Sequence, residues 1–264
     1  IKFKKRIEKN DWLKIKFFLL KNFRKDHPIL NKKFFMWQFN AKKKINILCA
    51  FEKNKIIGIM GYIDIPMNLG NDKDILSTWL LYWMVDKNAP NVIGLILLRK
   101  IRKMKKYLFS VNVSAVGKNF YKKDNWKYFE EINRNYLILN QENAKKIVLK
   151  WEKTKSINGH CINKKLILEK YTLKKLNLNS YRIDFSKYKG LKYAVKKTRN
   201  FMKWRYKQHP IFKYNMIYEG NLKEPAICVY RVENYLGKSK GKNARIVEFF
   251  YPENKIGKQN AKKL

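Results

Sequence analysis

Two hydrophobic periods alternate along this chain, and the switch between them is sharpest from Ile75 to Ile101. Residues 79–85 form an unbroken apolar, aromatic-rich run, which predicts a buried strand. A polar turn follows over residues 86–91, with Pro90 inside it. Val92, Leu95, Leu97, Leu98 and Ile101 then recur near helical spacing and predict a helix over about residues 92–106, with Gly94 in its first turn. Upstream, Asn10 or Asp11 can cap a helix whose apolar face reads as Leu13, Phe17, Leu20 and Phe23, and His27-Pro28 ends it. A second helical piece over residues 31–39 carries Phe34, Phe35, Trp37 and Gln38. Strand patterns cover residues 45–52, 55–65 and 75–85, with Asn54 marking the first hairpin turn. Downstream come a strand at 107–114, a short helix at 117–123 and a strand at 135–140. The order predicts an α/β fold with a mixed central sheet flanked by helices, because hairpins give antiparallel pairs and a helical crossover gives a parallel one.

A pattern then recurs. The phrase FFMWQF around Trp37 has a counterpart in NFMKWRY around Trp204, and strand-like runs begin eight residues after each tryptophan, at Ile45 and Phe212. An apolar strand ends at Val85 in the first half and near Tyr251 in the second. This predicts a duplicated unit. Its second copy is expected to be incomplete, stopping at Leu264 where a turn and helix would begin. The expected organisation is a first domain at 1–140, a connecting helix and linker at 141–179, and a partial second copy at 180–264. The two copies could form an intramolecular pseudo-dimer.

Composition adds less than it first suggests. The chain has 61 Lys+Arg against 20 Asp+Glu, a formal net charge of +41. Only 10 of the 61 are Arg, the lysines are spread throughout, and Asn, Ile, Phe and Tyr are abundant too. These residues share AT-rich codons, so the charge reads as genome composition more than as a nucleic-acid face, which favours Arg. A 45% apolar content argues for a folded core. No run approaches the length of a membrane span. Cys49, Cys161 and Cys228 have no paired spacing, and His160-Cys161 lacks the neighbours of a metal tetrad, so neither a disulfide nor a metal centre is expected. The expected compartment is the cytoplasm.

The hairpin IIGIMGYI, the strand LLYWMVD, the turn-helix with Gly94 and the segment SAVGKNFYKKDNW together resemble the GNAT superfamily of acyl-CoA-dependent N-acetyltransferases, over residues 1–140 and partially over 180–264. The phrase Trp204-Arg205-Tyr206, His209-Pro210, Tyr214 is similar to one in bacterial double-GNAT chains. Of the family's Arg/Gln-x-x-Gly-x-Gly/Ala pyrophosphate loop, residues 87–95 keep only Gly94. The resemblance implies transfer of an acetyl group from acetyl-CoA to a primary amine of a small molecule or amino sugar. It implies that Trp83, Met84 and Val85 hold the pantetheine arm, that Asn91, Gly94 and Leu95 hold the pyrophosphate, and that Ser114 contacts the coenzyme. Tyr121 would protonate the leaving thiolate. Asp86, Asp64, Glu130 and Glu131 are the candidate bases, and His27, Trp37 and Gln38 would line the acceptor side. Two other readings stand beside this one: a GNAT-like module without catalysis, and a basic nucleic-acid-binding protein.

Overall fold

The computed structural model describes residues 1–4, 8, 11–41, 44–68, 74–90, 92–127, 137–138, 160–161, 174–178, 183–184, 188, 194–234 and 242–264. In chain order the elements are β1 (Lys2–Lys4), α1 (Trp12–Leu20), α2 (Lys32–Phe39), β2 (Asn40–Ala41), β3 (Lys44–Ile45), β4 (Ile47–Glu52), β5 (Lys55–Asn68) and β6 (Asp74–Val85). Next come α3 (Val92–Met104), β7 (Leu108–Ser110), α4 (Ala115–Lys123), β8 (Leu137–Ile138), β9 (His160–Cys161), β10 (Lys174–Lys175) and β11 (Ala194–Val195). The chain ends with α5 (Arg199–Met202) running into a π-turn at Lys203–Lys207, then β12 (Asn215–Glu219), β13 (Ala226–Asn234), β14 (Lys242–Phe250) and α6 (Lys255–Lys263). The described residues divide into two units, Ile1–Val113 with Lys189–Phe212, and Ser114–Tyr188 with Lys213–Leu264.

The first unit is built on a mixed sheet of order β1-β4-β5-β6-β7, with β11 pairing the far end of β5. Lys53 and Asn54 both adopt left-handed backbone (φ 43° and 64°) between the paired residues Glu52 and Lys55. That is the geometry of a two-residue hairpin whose twist matches its strands. The α3 crossover makes β6 and β7 the parallel pair. Trp12, Ile15, Phe18 and Leu19 of α1 pack with Phe34, Phe35 and Phe39 of α2 and with Ile47, Cys49 and Ile59 of the sheet in one core. Gly58 lets α3 approach that sheet, since a Cβ there would lie 3.0 Å from Ile93 and 3.1 Å from Leu97. Trp37 and Trp204, both in this unit, stack with ring centroids 5.0 Å apart.

Three sequence expectations are corrected here. The buried face of α1 is Trp12, Ile15, Phe18 and Leu19, whereas Leu13, Phe17 and Leu20 are 63%, 70% and 41% exposed. Both sets have helical spacing, and the set carrying Trp12 reaches the Phe35 ring, 4.5 Å away between centroids. The strand expected over 107–114 shrinks to Leu108–Ser110. At the C-terminus, α6 occupies the place where the second copy was expected to stop, capped by the Asn254 side chain accepting from Gly257 N at 2.6 Å.

The second unit carries an antiparallel sheet of order β10-β12-β13-β14. Its element order, three antiparallel strands and then a helix, repeats β4-β5-β6-α3. Gly220 (φ 92°) turns the chain beneath α6, where a Cβ would fall 2.1 Å from Asn260 Nδ2. Most of the connecting region expected at 141–179 lies outside the described residues, which there form only short strands. Among the described residues no helix is long and apolar enough to cross a membrane.

Candidate functional site

The site is built around a break in β6. From Thr78 to Leu80 this strand pairs in parallel with Leu108–Ser110 of β7, and that pairing stops at Leu80. On its other edge β6 stays paired with β5 to the end, through Ile59 with Met84 and Gly58 with Val85. The register slips between Ile59 and Gly61, which pairs with Leu81, so Tyr82 and Trp83 stand against Met60 in a bulge. Tyr82 has φ 51° there, an unusual conformation for a bulky residue inside a strand. Gly61 opposite is packed beneath Phe39, whose ring atoms would lie 2.6 and 2.8 Å from a Cβ at that position. Beyond the bulge, β6 keeps β5 as its described strand partner, and among the described residues no strand pairs with its β7-side edge over Leu81–Val85.

Side chains around the bulge serve two faces. Trp83 donates its indole N–H to Gly94 O at 3.1 Å, tying the strand to the first turn of α3. Tyr82 and Met84 pack instead on the core that α1 and α2 build with the sheet. The Tyr82 ring lies 5.8 Å from both Phe23 and Phe39 and 6.4 Å from His27, between centroids. Burial pushes the Tyr82 phenol up to about 12, against a smaller opposing pull from Arg205. Burial first and then Arg24 lower the pKa of His27, while Asp26 works the other way. Its Nδ1 accepts from Ile29 N at 3.2 Å. The Phe23 ring packs against it, tilted by 33° with centroids 4.2 Å apart.

The α3 N-terminus follows β6 after one turn. Asp86 N donates to Ile57 O at 2.8 Å, and Ile93 N donates to Pro90 O at 3.0 Å. A helix N-terminus presents backbone N–H groups that favour an anion. Gly94 is buried, and a Cβ there would lie 3.3 Å from Trp83 Nε1 and 3.4 Å from Val85 Cγ2. Its small size thus leaves room for the Trp83 indole. Asp86 is engaged in the turn: Oδ1 accepts from Asn88 N at 3.1 Å, and Oδ2 lies 3.8 Å from Lys21 Nζ. Asp64 sits farther along the sheet, accepting from Thr78 Oγ1 and Lys105 Nζ, each at 2.6 Å.

The remaining expected residues fall elsewhere. Trp83, Met84, Val85, Gly94 and Leu95 are brought together at the β6–α3 junction of the first unit. Asn91, Glu130 and Glu131 lie outside the described residues. Ser114 and Tyr121 belong to the second unit. There Ser114 caps α4 by accepting from Gly117 N at 3.2 Å. Tyr121 is buried against Trp126, 4.5 Å between centroids. Trp37 is held by Trp204 and by His209, whose ring centroid is 4.4 Å away, and Gln38 buries its Oε1. Sequence reasoning missed Tyr82, because an unbroken apolar run carries no alternation to betray a bulge. Arg205, which the sequence offered as an ion-pair partner of a carboxylate such as Glu248, has its guanidinium 5.9 Å from the Trp37 ring centroid.

No family model matches the sequence, and no curated protein does either. The fold, however, is GNAT-like. Over 99% of its length the chain superposes on a GCN5-related N-acetyltransferase from Anabaena variabilis, with a TM-score of 0.56 at 10% identity and 62% of that chain covered. Eis1 from Mycobacterium abscessus matches all of it with a TM-score of 0.53 at 8% identity, again with 62% of that chain covered. The N-myristoyltransferase of Saccharomyces cerevisiae, solved with bound myristoyl-CoA and inhibitors, matches 95% with a TM-score of 0.50 at 11% identity, over 63% of its length. The chain therefore spans somewhat less than two thirds of the solved structures it resembles.

Proposed function

We propose that the chain is an acyltransferase that takes its acyl group from a coenzyme A thioester and passes it to an amine. The observation that carries this is the unpairing of β6 from β7 after Leu80, beside the first turn of α3. An extended pantetheine arm can add to such an edge through main-chain hydrogen bonds, as a peptide adds to a sheet. Its pyrophosphate suits the α3 N-terminus. Trp83, Met84, Val85, Gly94 and Leu95 would form this binding run, with the exposed Lys87 in the turn between them. Two of the structures it resembles are named acyltransferases, one holding myristoyl-CoA, which supports an acyl-CoA donor. Acetyl as the group, and a small-molecule amine or amino sugar as the acceptor, are the finer parts of the proposal.

In the reaction the neutral amine nitrogen attacks the thioester carbonyl carbon, the C–S bond breaks, the nitrogen gives up one proton to a base or water, and the thiolate takes one to leave as a thiol. Backbone N–H groups of the β6 edge would stabilise the developing oxyanion. A phenol is competent as the acid for the thiolate, which is the role the family resemblance implies for Tyr121. Asp86 is better suited to holding the strand-to-helix turn than to proton transfer, given its bonds to Asn88 and Lys21. Calorimetric titration of the whole chain with acetyl-CoA in 300 mM salt, with ATP as the control polyanion, tests the reading. Binding at least tenfold tighter than ATP is the expected result. Equal binding of the two would sink it and leave the charge of the chain as the cause.

A further inference from the structure

We propose that α1 is a docking helix for an anionic lipid surface. The helix is apolar on two faces. Trp12, Ile15, Phe18 and Leu19 are spent on the core, and a second stripe at i, i+4 and i+7, formed by Leu13, Phe17 and Leu20, is exposed to solvent at 63%, 70% and 41%. A phenylalanine that is 70% exposed between two exposed leucines is costly to keep in water. Cationic side chains surround this stripe. Lys14 and Lys21 stand beside it, each side chain more than half exposed, with Lys16 on the same helix and Arg24 and Lys25 just beyond it. Over residues 11–26 these five stand with two acidic side chains, Asp11 and Asp26, the latter 3.4 Å from Arg24 Nε. Asp11 lies 3.5 Å from Lys14, and Lys21 reaches Asp86 at 3.8 Å; both pairs are long and water-exposed on the lysine side, which leaves the ammonium groups able to engage phosphates.

Charge decides the occupant. A second copy of a chain carrying +41 would bring like charge against like charge, so the apolar stripe is not a self-association face. Three apolar side chains on one helical line, bordered by lysines whose stems can lie along an apolar surface, match a helix lying in a headgroup layer. There the rings and leucines enter the acyl boundary while the ammonium groups sit at phosphate level. Neither half suffices alone: three apolar side chains are few for a neutral bilayer, and lysines alone give binding that salt removes.

The test is co-sedimentation of the whole chain with vesicles of phosphatidylglycerol and phosphatidylcholine, and with phosphatidylcholine alone, at 50 and 300 mM salt. Binding to the anionic vesicles is expected to persist at 300 mM and to be absent from the neutral ones. The double variant Leu13→Gln/Phe17→Gln changes solvent-facing side chains only and should weaken the 300 mM binding on the order of tenfold. Val232→Gln, which removes an exposed apolar side chain of the second unit, should leave it unchanged. Binding that vanishes with salt in the parent chain overturns the proposal, as does equal binding by the double variant. Two other results overturn it if vesicles are not bound: a concentration-dependent dimer abolished by Phe17→Gln, and capture of a poly-glutamate probe abolished by the same change.

Discussion

Trp37 and Trp204 hold each other by a reciprocal pair of bonds. The indole N–H of Trp37 donates to Trp204 O at 3.0 Å, and the indole N–H of Trp204 donates to Trp37 O at 3.1 Å, with the rings stacked 18° from parallel. The residues are 167 positions apart, yet each makes the same contact to the other. Such reciprocity is what a two-fold relation between the helices carrying them would produce. We read it, together with the repeated phrases around the two tryptophans, as support for a duplicated origin. Trp204→Phe keeps a stacked ring but strands Trp37 O without its donor, and should cost about 1–3 kcal/mol in urea denaturation. The double variant with Trp37→Phe should cost clearly less than the two singles added, because each single already breaks the shared arrangement. Additive losses would show that the two bonds act independently.

Glycines at the bulge and at the helix differ in what a methyl group would meet. At Gly61 a Cβ would lie 2.6 Å from the Phe39 ring and 3.1 Å from Leu81 O. Gly61→Ala should therefore overpack the bulge and cost about 1–3 kcal/mol. At Gly94 the nearest atoms are at 3.3 and 3.4 Å, a tight but yielding fit, and alanine regains about 1 kcal/mol of helix propensity. Gly94→Ala should leave the thermal midpoint nearly unchanged, whereas Gly94→Trp has no room and should unfold the α3 packing. Equal effects from the two alanine variants would contradict this geometry.

These contrasts also show what the sequence could reveal. The β5–β6 hairpin and α3 were legible because their apolar positions keep one period each and turn residues separate them. The exposed face of α1 was not, because WLKIKFFLL offers two apolar stripes, and only the fit of Trp12 onto Phe35 selects one. Tyr82 was hidden in the run from Leu80 to Val85, where every residue is apolar or aromatic and no alternation reports the slipped register. In α6, KIGKQNAKK carries few apolar residues, so its place goes with the Asn254 cap and the buried Asn260 packed against Gly220 instead of with a stripe. At the candidate site the strand and the helix were legible, whereas the Trp83 indole bond to Gly94 O and the Ser114 cap of α4 depend on contacts that no local pattern reports.

Asp64 is the hinge of a small polar cluster inside the first unit. It accepts from Thr78, a residue buried within the sheet, and from Lys105 at the end of α3, whose ammonium also lies 5.5 Å from the Tyr62 ring centroid. Asp64→Ala would leave the Thr78 hydroxyl without its acceptor and Lys105 without its counter-charge. The expected loss is about 1–3 kcal/mol. Asp64→Asn can keep the Thr78 bond and should lose less. Activity with acyl-CoA should be unchanged per folded molecule in both, since this cluster lies apart from the β6–α3 junction; a selective loss of turnover in Asp64→Asn would make Asp64 part of the chemistry.

His27 should make stability depend on mild acid. Its folded-state value is lowered, mainly by burial and then by Arg24, so the folded chain prefers the neutral ring. For a group depressed on folding, the stabilisation is fully present above the unfolded value, about 6.5 for histidine, and is lost as pH falls through the folded value. The neutral ring also supplies the Nδ1 acceptor for Ile29 N, which protonation would remove. The denaturation midpoint of the parent chain should thus fall as pH drops below about 6.5. His27→Asn can still accept from Ile29 N through its side-chain oxygen but cannot titrate, so its midpoint should fall less steeply over the same range. Parallel curves for the two chains would mean that the acid sensitivity arises at other groups and that the Phe23–His27–Tyr82 cluster tolerates a charged ring.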